Sequence, residues 1–467
     1  MHVSSRRRGA RSIGLLAAAA LTTSALLAAQ SSAGASMTVP AASQSPVTNR
    51  STVIKVKVDR RLFGVHDYYW NSLHRTGTGG IRLWDAGTQW KDLFPTLGGE
   101  PDWTRLDAAV TAAHANGTEV TLVLGLSPSY AAATPTGPPN VALYKAYVQA
   151  VMEHYSPASW GYRGIANYQV WNEANIATFW TGSYAQLAQL VKTVYRVRNA
   201  VDAGARIVAP AMVTRLSYQR TGIKKFYATR IGGVPVWKYV DAVSLNLYPV
   251  DTYTDSHGTN RPGTPEDSMA LLRQVKAILA QDGVPKSLAI WDTEINYGLH
   301  TGANGGTSAA PVSDSVQIAY VIRTFLLNAA QGVKRVDWYA YDMGNLPSTA
   351  GGAPLGNTLL TDPSDRSVGT LTPAGHAFTR VQSWMKGTLL GTATKRPCSA
   401  NSSGTYTCVI QYGSGMGRVY WNPWHSATVT LVASARQKVN EAGTTSTVRG
   451  GTKLKVGYQP VLVRSTH

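Results

Sequence analysis

Two glutamates end short apolar segments and have the chemistry to act as a pair. Glu173 closes the segment YQVWNE, and Glu294 closes the segment LAIWDTE. Where parallel strands end, side chains leave the packed interior and enter a cleft. Two carboxyl groups facing each other across a cleft can divide acid and base work, one protonated and the other charged. The elements between residues 173 and 294, a separation of 121 residues, must therefore bring the two side chains together.

Eight short apolar runs alternate with helical stretches from about residue 60, the pattern of parallel β-α-β units. The helical stretches carry apolar residues three and four positions apart. In this count Glu173 ends the fourth strand and Glu294 the seventh. The predicted strands are Leu62–Val65, Gly80–Trp84, Glu119–Leu124, Ile165–Trp171, Arg206–Pro210, Val240–Leu247, Leu288–Trp291 and Val333–Ala340, and the helices include Trp103–Asn116, Leu143–His154, Tyr184–Ala200, Ser268–Gln281 and Val316–Gln331.

This pattern predicts an α/β fold, a (β/α)8 TIM barrel. A doubly wound open sheet is the alternative, but the segment Phe63–Asp67 has a single glycine and no glycine-rich phosphate turn. Three β-α units of about forty residues each separate strands four and seven, which matches the spacing of the glutamates. The barrel therefore places Glu173 and Glu294 across its mouth.

Cleavage of a glycosidic bond requires such a pair of carboxyl groups. One gives a proton to the leaving oxygen, while the other attacks or stabilises an oxocarbenium-like carbon. Flat aromatic rings near the pair can stack on the C–H faces of sugars, although each ring taken singly is more typical of core packing. The rings that flank the two glutamates are Trp171, Trp180, Trp291 and Tyr297.

Trp171-Asn172-Glu173 followed by Thr293-Glu294 resembles the clan A glycoside hydrolases, retaining enzymes on a (β/α)8 barrel. The resemblance covers roughly residues 60 to 380. Within the clan, the chain is most similar to the β-xylosidase-like glycoside hydrolase family 39, whose members also have a C-terminal sandwich and a Thr-Glu nucleophile segment. The resemblance implies a retaining glycosidase that acts on a polysaccharide or oligosaccharide and needs no cofactor.

The resemblance also implies roles for individual residues. Glu173 would be the acid/base, Glu294 the nucleophile, and Asn172 a ligand of the sugar 2-hydroxyl. Arg82 matches the strand-two arginine that hydrogen-bonds the nucleophile, and Tyr248 matches the strand-six tyrosine that contacts it.

Further aromatic residues are assigned to substrate binding. Trp338 matches the strand-eight platform under the sugar, and Trp84, Trp180 and Tyr297 are additional candidates. These rings lie close in sequence to the predicted ends of strands two, four, seven and eight. They would form the walls of the sugar site.

Two departures from the family pattern put the identity of the sugar in doubt. Asn246 stands two residues before Tyr248, where many relatives have histidine, and Gly125–Pro128 lacks the histidine that several have after strand three. His66 and Asp67, after strand one, are candidate replacements for hydroxyl recognition. A structural role for His66 is an equally weighted alternative.

The N-terminal residues predict export. Four arginines precede an apolar alanine- and leucine-rich stretch and the small residues Ala33-Gly34-Ala35, as in a secretory signal peptide over residues 1–35. A membrane anchor is disfavoured because the apolar run is short and is interrupted by Thr22, Thr23 and Ser24. Residues 36–50 have the composition of a disordered linker. The protein is therefore expected to be extracellular, by the general or the twin-arginine route.

The remaining chain divides into a barrel over residues 51–380 and an antiparallel β-sandwich over residues 381–467. After Leu371 short alternating runs are separated by Gly, Ser and Asn clusters, with no helical period. The alternating segment Val53–Val58 is expected to pair with the sandwich. The predicted sandwich runs are Thr407–Gln411, Arg418–Trp421, Ala427–Val432 and Lys453–Val456.

The number of cysteines and the net charge indicate which classes of ligand are expected. Cys398 and Cys408 predict one local disulfide in an oxidising compartment, and two cysteines are too few ligands for a metal site. The formal charge is +19, and without the four leader arginines 40 bases face 25 acids. This excess favours contact with anionic cell-wall polymers or simply solubility. No basic run with interleaved aromatics indicates nucleic acid, and a monomer is expected.

Three alternatives stay open at this point. A catalytically inactive carbohydrate-binding barrel would usually have lost one of the two glutamates. A metal-dependent barrel hydrolase would have His-x-His on strand one, where this chain reads Val65-His66-Asp67-Tyr68. A furanosidase acting on arabinose- or galactose-containing cell-wall glycans fits the same two-glutamate pattern. The sugar, the linkage and the endo or exo mode are not predicted.

Overall fold

The structure is a computed structural model that describes residues 54–66, 68–250, 252–254, 260–298, 312–342, 356–392 and 394–465. The predicted leader and linker therefore lie outside the described residues. Residues 48–467 belong to one compact unit. Among the helices of the described ranges, none is long and apolar enough to cross a bilayer.

A closed parallel barrel forms the first part of this unit. Each strand pairs in parallel with the next, β6 pairs with β7, and β8 pairs with β1, so the sheet has no open edge. The predicted TIM barrel is confirmed. Its strands are β1 (Phe63–His66), β2 (Gly80–Leu83), β3 (Glu119–Leu124), β4 (Asn167–Val170), β5 (Arg206–Val208), β6 (Ala242–Asn246), β7 (Ala289–Ile295) and β8 (Arg335–Tyr339).

Amphipathic helices cover the outside of the barrel. Their apolar positions recur at helical spacing and are buried against the strands, which is the main source of helix stability in a globular protein. The longer helices are α1 (Thr104–Ala115), α2 (Val141–His154), α3 (Tyr184–Val201), α4 (Ser217–Tyr227), α5 (Pro265–Gln281), α6 (Asp314–Ala330) and α7 (Pro373–Trp384).

Two of these helices were missed by the sequence analysis. Helix α4 has three lysine or arginine residues in eleven positions and no side-chain cap, and two of its buried positions are Gln219 and Gly222, so few apolar residues mark its buried face. Helix α7 falls where the prediction expected only strands, and this expectation was wrong. Its start is marked by Thr372, whose side chain accepts a hydrogen bond from Gly375 N–H, and by Pro373 at the first helical position.

An antiparallel β-sandwich follows α7. Its larger sheet includes the N-terminal strand Ile54–Lys57, which pairs with Thr388–Gly391 as the alternation of Val53–Val58 predicted. A separate two-stranded sheet joins Ala427–Thr430 to Lys453–Val456. The other strands are Cys398–Ala400, Tyr406–Tyr412, Gly415–Trp421, Ala435–Val439, Thr445–Thr447 and Val461–Ser465.

The sandwich packs directly on the barrel. The Trp421 indole N–H donates to Glu266 on α5 at 2.9 Å, and Glu266 also pairs with the fully buried Arg323 on α6. Arg396 donates to the side chain of Gln331 at 2.8 Å. The two halves therefore share a buried polar contact and are not joined by a free linker.

Cys398 and Cys408 are disulfide-bonded, which confirms the predicted pairing.

Candidate active site

Glu173 lies in the sharp turn that follows β4. Trp171 and Glu173 both have left-handed backbone conformations, with φ of 74° and 41°, which cost non-glycine residues about 1–3 kcal/mol each. The turn is held because the Trp171 indole N–H donates to Phe179 O at 2.6 Å and the Asn175 side chain bonds the backbone of Val213. Strain at this position places the Glu173 carboxyl group at the mouth instead of along the strand.

Glu294 reaches the same mouth from β7. The pairing between β7 and β8 shifts register between Asp292 and Ile295, as in a β-bulge. Because of this irregularity, two consecutive residues serve the site. Thr293 bonds groups inside the barrel, and Glu294 contacts Arg82, Asn246 and Tyr248.

One amide nitrogen joins the two glutamates. Asn246 Nδ2, at the end of β6, donates to Glu173 Oε1 at 2.9 Å and lies 3.4 Å from Glu294 Oε2. A single nitrogen within reach of both carboxyl groups requires those groups to be close neighbours. The structure therefore brings together the two residues that the sequence singled out.

Arg82 is fully buried beneath the pair, and all three of its guanidinium nitrogens donate hydrogen bonds. It donates to Glu294 Oε2 at 2.9 Å and to Asn172 Oδ1 at 2.6 Å. Since arginine only donates, the Asn172 oxygen must face Arg82, which leaves the Asn172 amide N–H2 for a sugar hydroxyl. Arg82, Asn172 and Glu294 lie together as the resemblance implied.

Tyr248 supplies a further donor to Glu294, at 2.8 Å from Oε1. Burial, followed by the charge of Glu294, raises the pKa of Tyr248 well above its ordinary value, so the phenol keeps its proton and donates. Glu294 thus accepts from Arg82 and Tyr248, groups that stabilise negative charge. Glu173 accepts instead from the neutral Asn246 amide.

The surroundings of Glu173 favour its protonated form. Burial, and then repulsion from the charge of Glu294, raises the pKa of Glu173 to about 7. The hydrogen bond from Asn246 and the cations Arg215 and Arg82 act in the opposite direction. Near neutral pH, a substantial fraction of Glu173 is therefore protonated while Glu294 is surrounded by donors.

A chain of hydrogen bonds inside the barrel fixes the Asn246 amide. Arg82 donates to Gln169 Oε1 at 2.7 Å, so the Gln169 nitrogen must donate to Ser244, at 2.5 Å. The Ser244 hydroxyl then donates to Thr293 at 2.6 Å, and Thr293 donates to Asn246 Oδ1 at 2.9 Å. Every proton in this relay points toward Asn246, which leaves only the amide N–H2 to face the glutamates.

His66 does not line the cleft, which favours the structural role over the alternative role in substrate binding. The ring is fully buried; Nδ1 accepts from Arg82 at 3.0 Å and Nε2 therefore carries the proton that bonds Asp85. The other Asp85 oxygen accepts from Tyr339 OH at 3.1 Å. The Asp85 side chain is 26% exposed, so Asp85 is the group that reaches the cleft.

Asp85 and Tyr339 were missed by the sequence analysis, although a signal was present. Asp85 follows β2 in the same way that Glu173 follows β4. Tyr339 ends β8, and its ring meets the His66 ring edge-on at 4.7 Å between centroids. Polar residues directly after barrel strands are the positions to search.

Four predicted aromatic contacts are core residues instead. Side chains alternate along a strand, so Tyr339 faces the barrel mouth while Trp338 faces the outer helices, fully buried, and donates to Thr358 O at 2.8 Å. Trp180 packs edge-on against Trp171, and Trp84 packs edge-on against Phe179. The remaining ring, that of Tyr297, is buried between α5 and α6, where its hydroxyl bonds Ser268 and Thr324.

Asp67 lies outside the described residues. Within the described ranges, no cluster of three or more His, Cys, Asp or Glu side chains is arranged to hold a metal ion.

Comparison with known proteins places this fold among solved structures. No family model matches the sequence, and no curated protein matches it. A family 39 glycoside hydrolase from Bacteroides cellulosilyticus WH2 has a TM-score of 0.60 at 16% identity, over 88% of this chain and 82% of that one. A glucosidase from Croceicoccus marinus has a TM-score of 0.59 at 13% identity, over 88% and 96%.

A third structure, a family 51 arabinofuranosidase from Xanthomonas axonopodis pv. citri, has a TM-score of 0.56 at 12% identity, over 89% of this chain and the whole of that one. At such low identity these likenesses establish the fold. That fold, a (β/α)8 barrel with a C-terminal β-sandwich, is the one that the resemblance to clan A glycoside hydrolases implied.

Proposed function

We propose that the chain is a secreted retaining glycoside hydrolase that cleaves O-glycosidic bonds of an oligosaccharide or polysaccharide. The observation that best supports this proposal is that Asn246 Nδ2 lies near both carboxyl groups, which differ in their other hydrogen-bond donors. In retaining enzymes the two carboxyl groups are only ~5–5.5 Å apart, whereas inverting enzymes need ~6.5–9.5 Å. A pair within reach of one amide nitrogen, at 2.9 Å and 3.4 Å, supports the retaining arrangement.

In the first step Glu294 attacks the anomeric carbon, and the bond from that carbon to the leaving oxygen breaks. The proton of Glu173 moves to the leaving oxygen, so the aglycone departs as an alcohol. Asn172 donates to the sugar 2-hydroxyl, a hydrogen bond that strengthens as the oxocarbenium-like transition state forms. Arg82 and Tyr248 hold Glu294 in position for attack.

In the second step Glu173, now charged, removes a proton from water, and the water oxygen attacks the anomeric carbon. The ester bond to Glu294 breaks, and its electrons return to the carboxylate. The sugar leaves with its original anomeric configuration because two inversions have occurred. Both glutamates end in their starting protonation states.

The sugar in the catalytic subsite is proposed to be neutral. Asp85 is the partly buried carboxylate beside His66 and Tyr339, and it accepts hydrogen bonds from hydroxyl groups but repels an anionic sugar. Two of the similar solved structures are described as a glucosidase and an arabinofuranosidase, so the test set includes both pyranosides and furanosides.

A panel of aryl glycosides tests this proposal. The panel holds glucosides, xylosides, galactosides and arabinofuranosides, and NMR of the first-formed product gives its anomeric configuration. Hydrolysis with retention is expected for at least one neutral glycoside, and the Glu294→Ala variant serves as the inactive control. Inverted product would refute the mechanism, and sugar binding without turnover across the panel would favour the inactive carbohydrate-binding barrel.

Secretion is tested separately. The chain is expressed with its own N-terminus in a bacterial host, and the protein in the medium is sequenced from its first residue. A start within a few residues after Ala35 is expected. Retention of the full leader in the cell fraction would contradict export.

A further inference from the structure

The sandwich has a charge balance unlike that of the barrel. Residues 381–467 contain ten lysines and arginines and one acid, Glu441, whereas residues 51–380 contain 29 bases and 24 acids. Among the described residues, none of the ten sandwich bases forms an ion pair with a carboxylate, while buried barrel cations such as Arg82 and Arg335 do. The sandwich therefore presents positive charge to its surroundings.

Part of this charge lines a groove. Lys438 lies directly opposite Ser446, which belongs to the edge strand Thr445–Thr447 of the larger sheet. Lys455 belongs to the separate two-stranded sheet, and the space between the two sheets forms a cavity of about 250 Å³. Asn440 and Thr444 lie on its wall, and Leu454 contributes an apolar surface.

We propose that this groove is a second, non-catalytic binding site for a segment of an acidic polysaccharide. Two ammonium groups suit carboxylates on neighbouring sugars, and hydroxyl and amide side chains suit sugar hydroxyls. The apolar surface at Leu454 suits the C–H face of a sugar ring. All of these residues belong to the sandwich, so the site is separate from the cleft of Glu173 and Glu294.

The composition of the groove favours an acidic glycan over a nucleic acid. Proteins that bind single-stranded nucleic acid stack bases on aromatic rings, and no aromatic side chain is among the described residues that line this groove. The site would hold the protein on an anionic matrix while the barrel acts on neutral sugars. Its binding does not depend on turnover.

The test is binding to polygalacturonate, measured by affinity electrophoresis, with the fully methyl-esterified polymer as the uncharged ligand control. The variant Lys438→Ala/Lys455→Ala is expected to bind about tenfold more weakly, because two charge-assisted contacts are lost. The matched control is Lys224→Ala/Lys225→Ala, which removes the same charge from exposed positions of α4. Thermal unfolding verifies that each variant is folded.

The proposal is supported by binding to polygalacturonate that is absent for the esterified polymer, weakened by salt, and lost in the sandwich variant only. It is overturned by equal losses in the two double variants, which would mean that net charge alone matters. It is also overturned if oligothymidylate binds the groove more tightly than polygalacturonate, or if the sandwich variant binds as the unmodified protein does.

Discussion

Charged side chains are arranged in opposite ways in the barrel and in the sandwich. Arg82 and Arg335 are buried in the barrel and bond Glu294 and Glu119, so their orientations are set by partners. In the sandwich, bases such as Lys453 and Lys455 are exposed, and no carboxylate among the described residues pairs with them. Buried charge can orient reacting groups, whereas exposed charge is free to meet an external partner.

The comparison predicts unequal mutational effects. A change that removes a buried barrel carboxylate should alter chemistry or stability strongly. A change that removes an exposed sandwich cation should alter neither, but should alter binding. The experiments below test this division in order of decreasing expected effect.

The Glu294→Ala variant is expected to lose on the order of 10⁴-fold or more in kcat, because the covalent route is removed. Added azide should restore turnover of an activated aryl glycoside with an inverted glycosyl azide as product, since the anion enters from the vacated side. The product is identified by NMR. A retained azide would mean that Glu294 is not the nucleophile.

The Glu173→Ala variant is expected to slow glycosides with poor leaving groups by about 10²–10⁴-fold, and activated aryl glycosides far less. In the unmodified enzyme, kcat/KM should fall about tenfold per pH unit above about 7, because the proton of Glu173 is present below its raised pKa and lost above it. The variant should lack this basic limb. An unchanged pH profile would remove Glu173 from the acid role.

The Asp337→Asn variant tests a carboxyl group that is buried inside the barrel. Both Asp337 oxygens are buried without a hydrogen-bond partner in the described part of the chain, and burial raises the pKa of Asp337 to about 6. An acid with a raised pKa in the folded state stabilises the fold at low pH and loses that contribution as pH rises through about 6. The asparagine variant should therefore unfold at higher denaturant at pH 7, by up to roughly 3 kcal/mol, with little change at pH 4.

The Thr293→Val variant interrupts the relay that orients Asn246. It is expected to lower kcat about tenfold and to shift the basic limb of the pH profile, because the amide no longer has a fixed direction toward Glu173. KM should change less than kcat. Thr324→Val is the matched control, since Thr324 is equally buried but bonds Tyr297 between helices. Equal kinetic losses in both variants would indicate general destabilisation instead.

The Lys438→Ala/Lys455→Ala variant should change the free energy of unfolding by no more than about 0.5 kcal/mol. Neither lysine forms an ion pair among the described residues, so no partner is left unpaired. Urea denaturation gives the value. A loss of several kcal/mol would show that these side chains stabilise the sandwich fold. It would contradict the expected difference between sandwich cations and buried barrel charges.

Much of the barrel was predictable from local pattern. Apolar strand runs and amphipathic helices recur along the chain because each must bury one face, and this recurrence identified all eight strands within a few residues. Helix α4 was missed because its apolar positions are few among lysines and arginines. Helix α7 was missed although Thr372-Pro373 is a recognisable helix start.

Six of the predicted polar residues converge in the structure, whereas His66 and the predicted aromatic rings are buried elsewhere. Glu173, Glu294, Asn172, Arg82, Asn246 and Tyr248 converge as expected, because barrel topology requires that strand ends meet at one mouth. Trp338 and Tyr297 do not join them. An aromatic ring is equally compatible with the core and with a sugar site, so sequence proximity to a catalytic residue cannot distinguish the two.

Local patterns in the chain were enough to predict the order of the barrel strands, the disulfide pair, the basic composition and the two glutamates at strand ends. Packing in three dimensions sets which neighbours face the cleft: the alternation of β8 turns Tyr339 inward and Trp338 outward, and the bulge in β7 brings both Thr293 and Glu294 to the site. It also decided that His66 lies behind Asp85. These orientations depend on contacts between residues that are distant in sequence. A sequence pattern does not specify which of those residues lie near each other across the barrel.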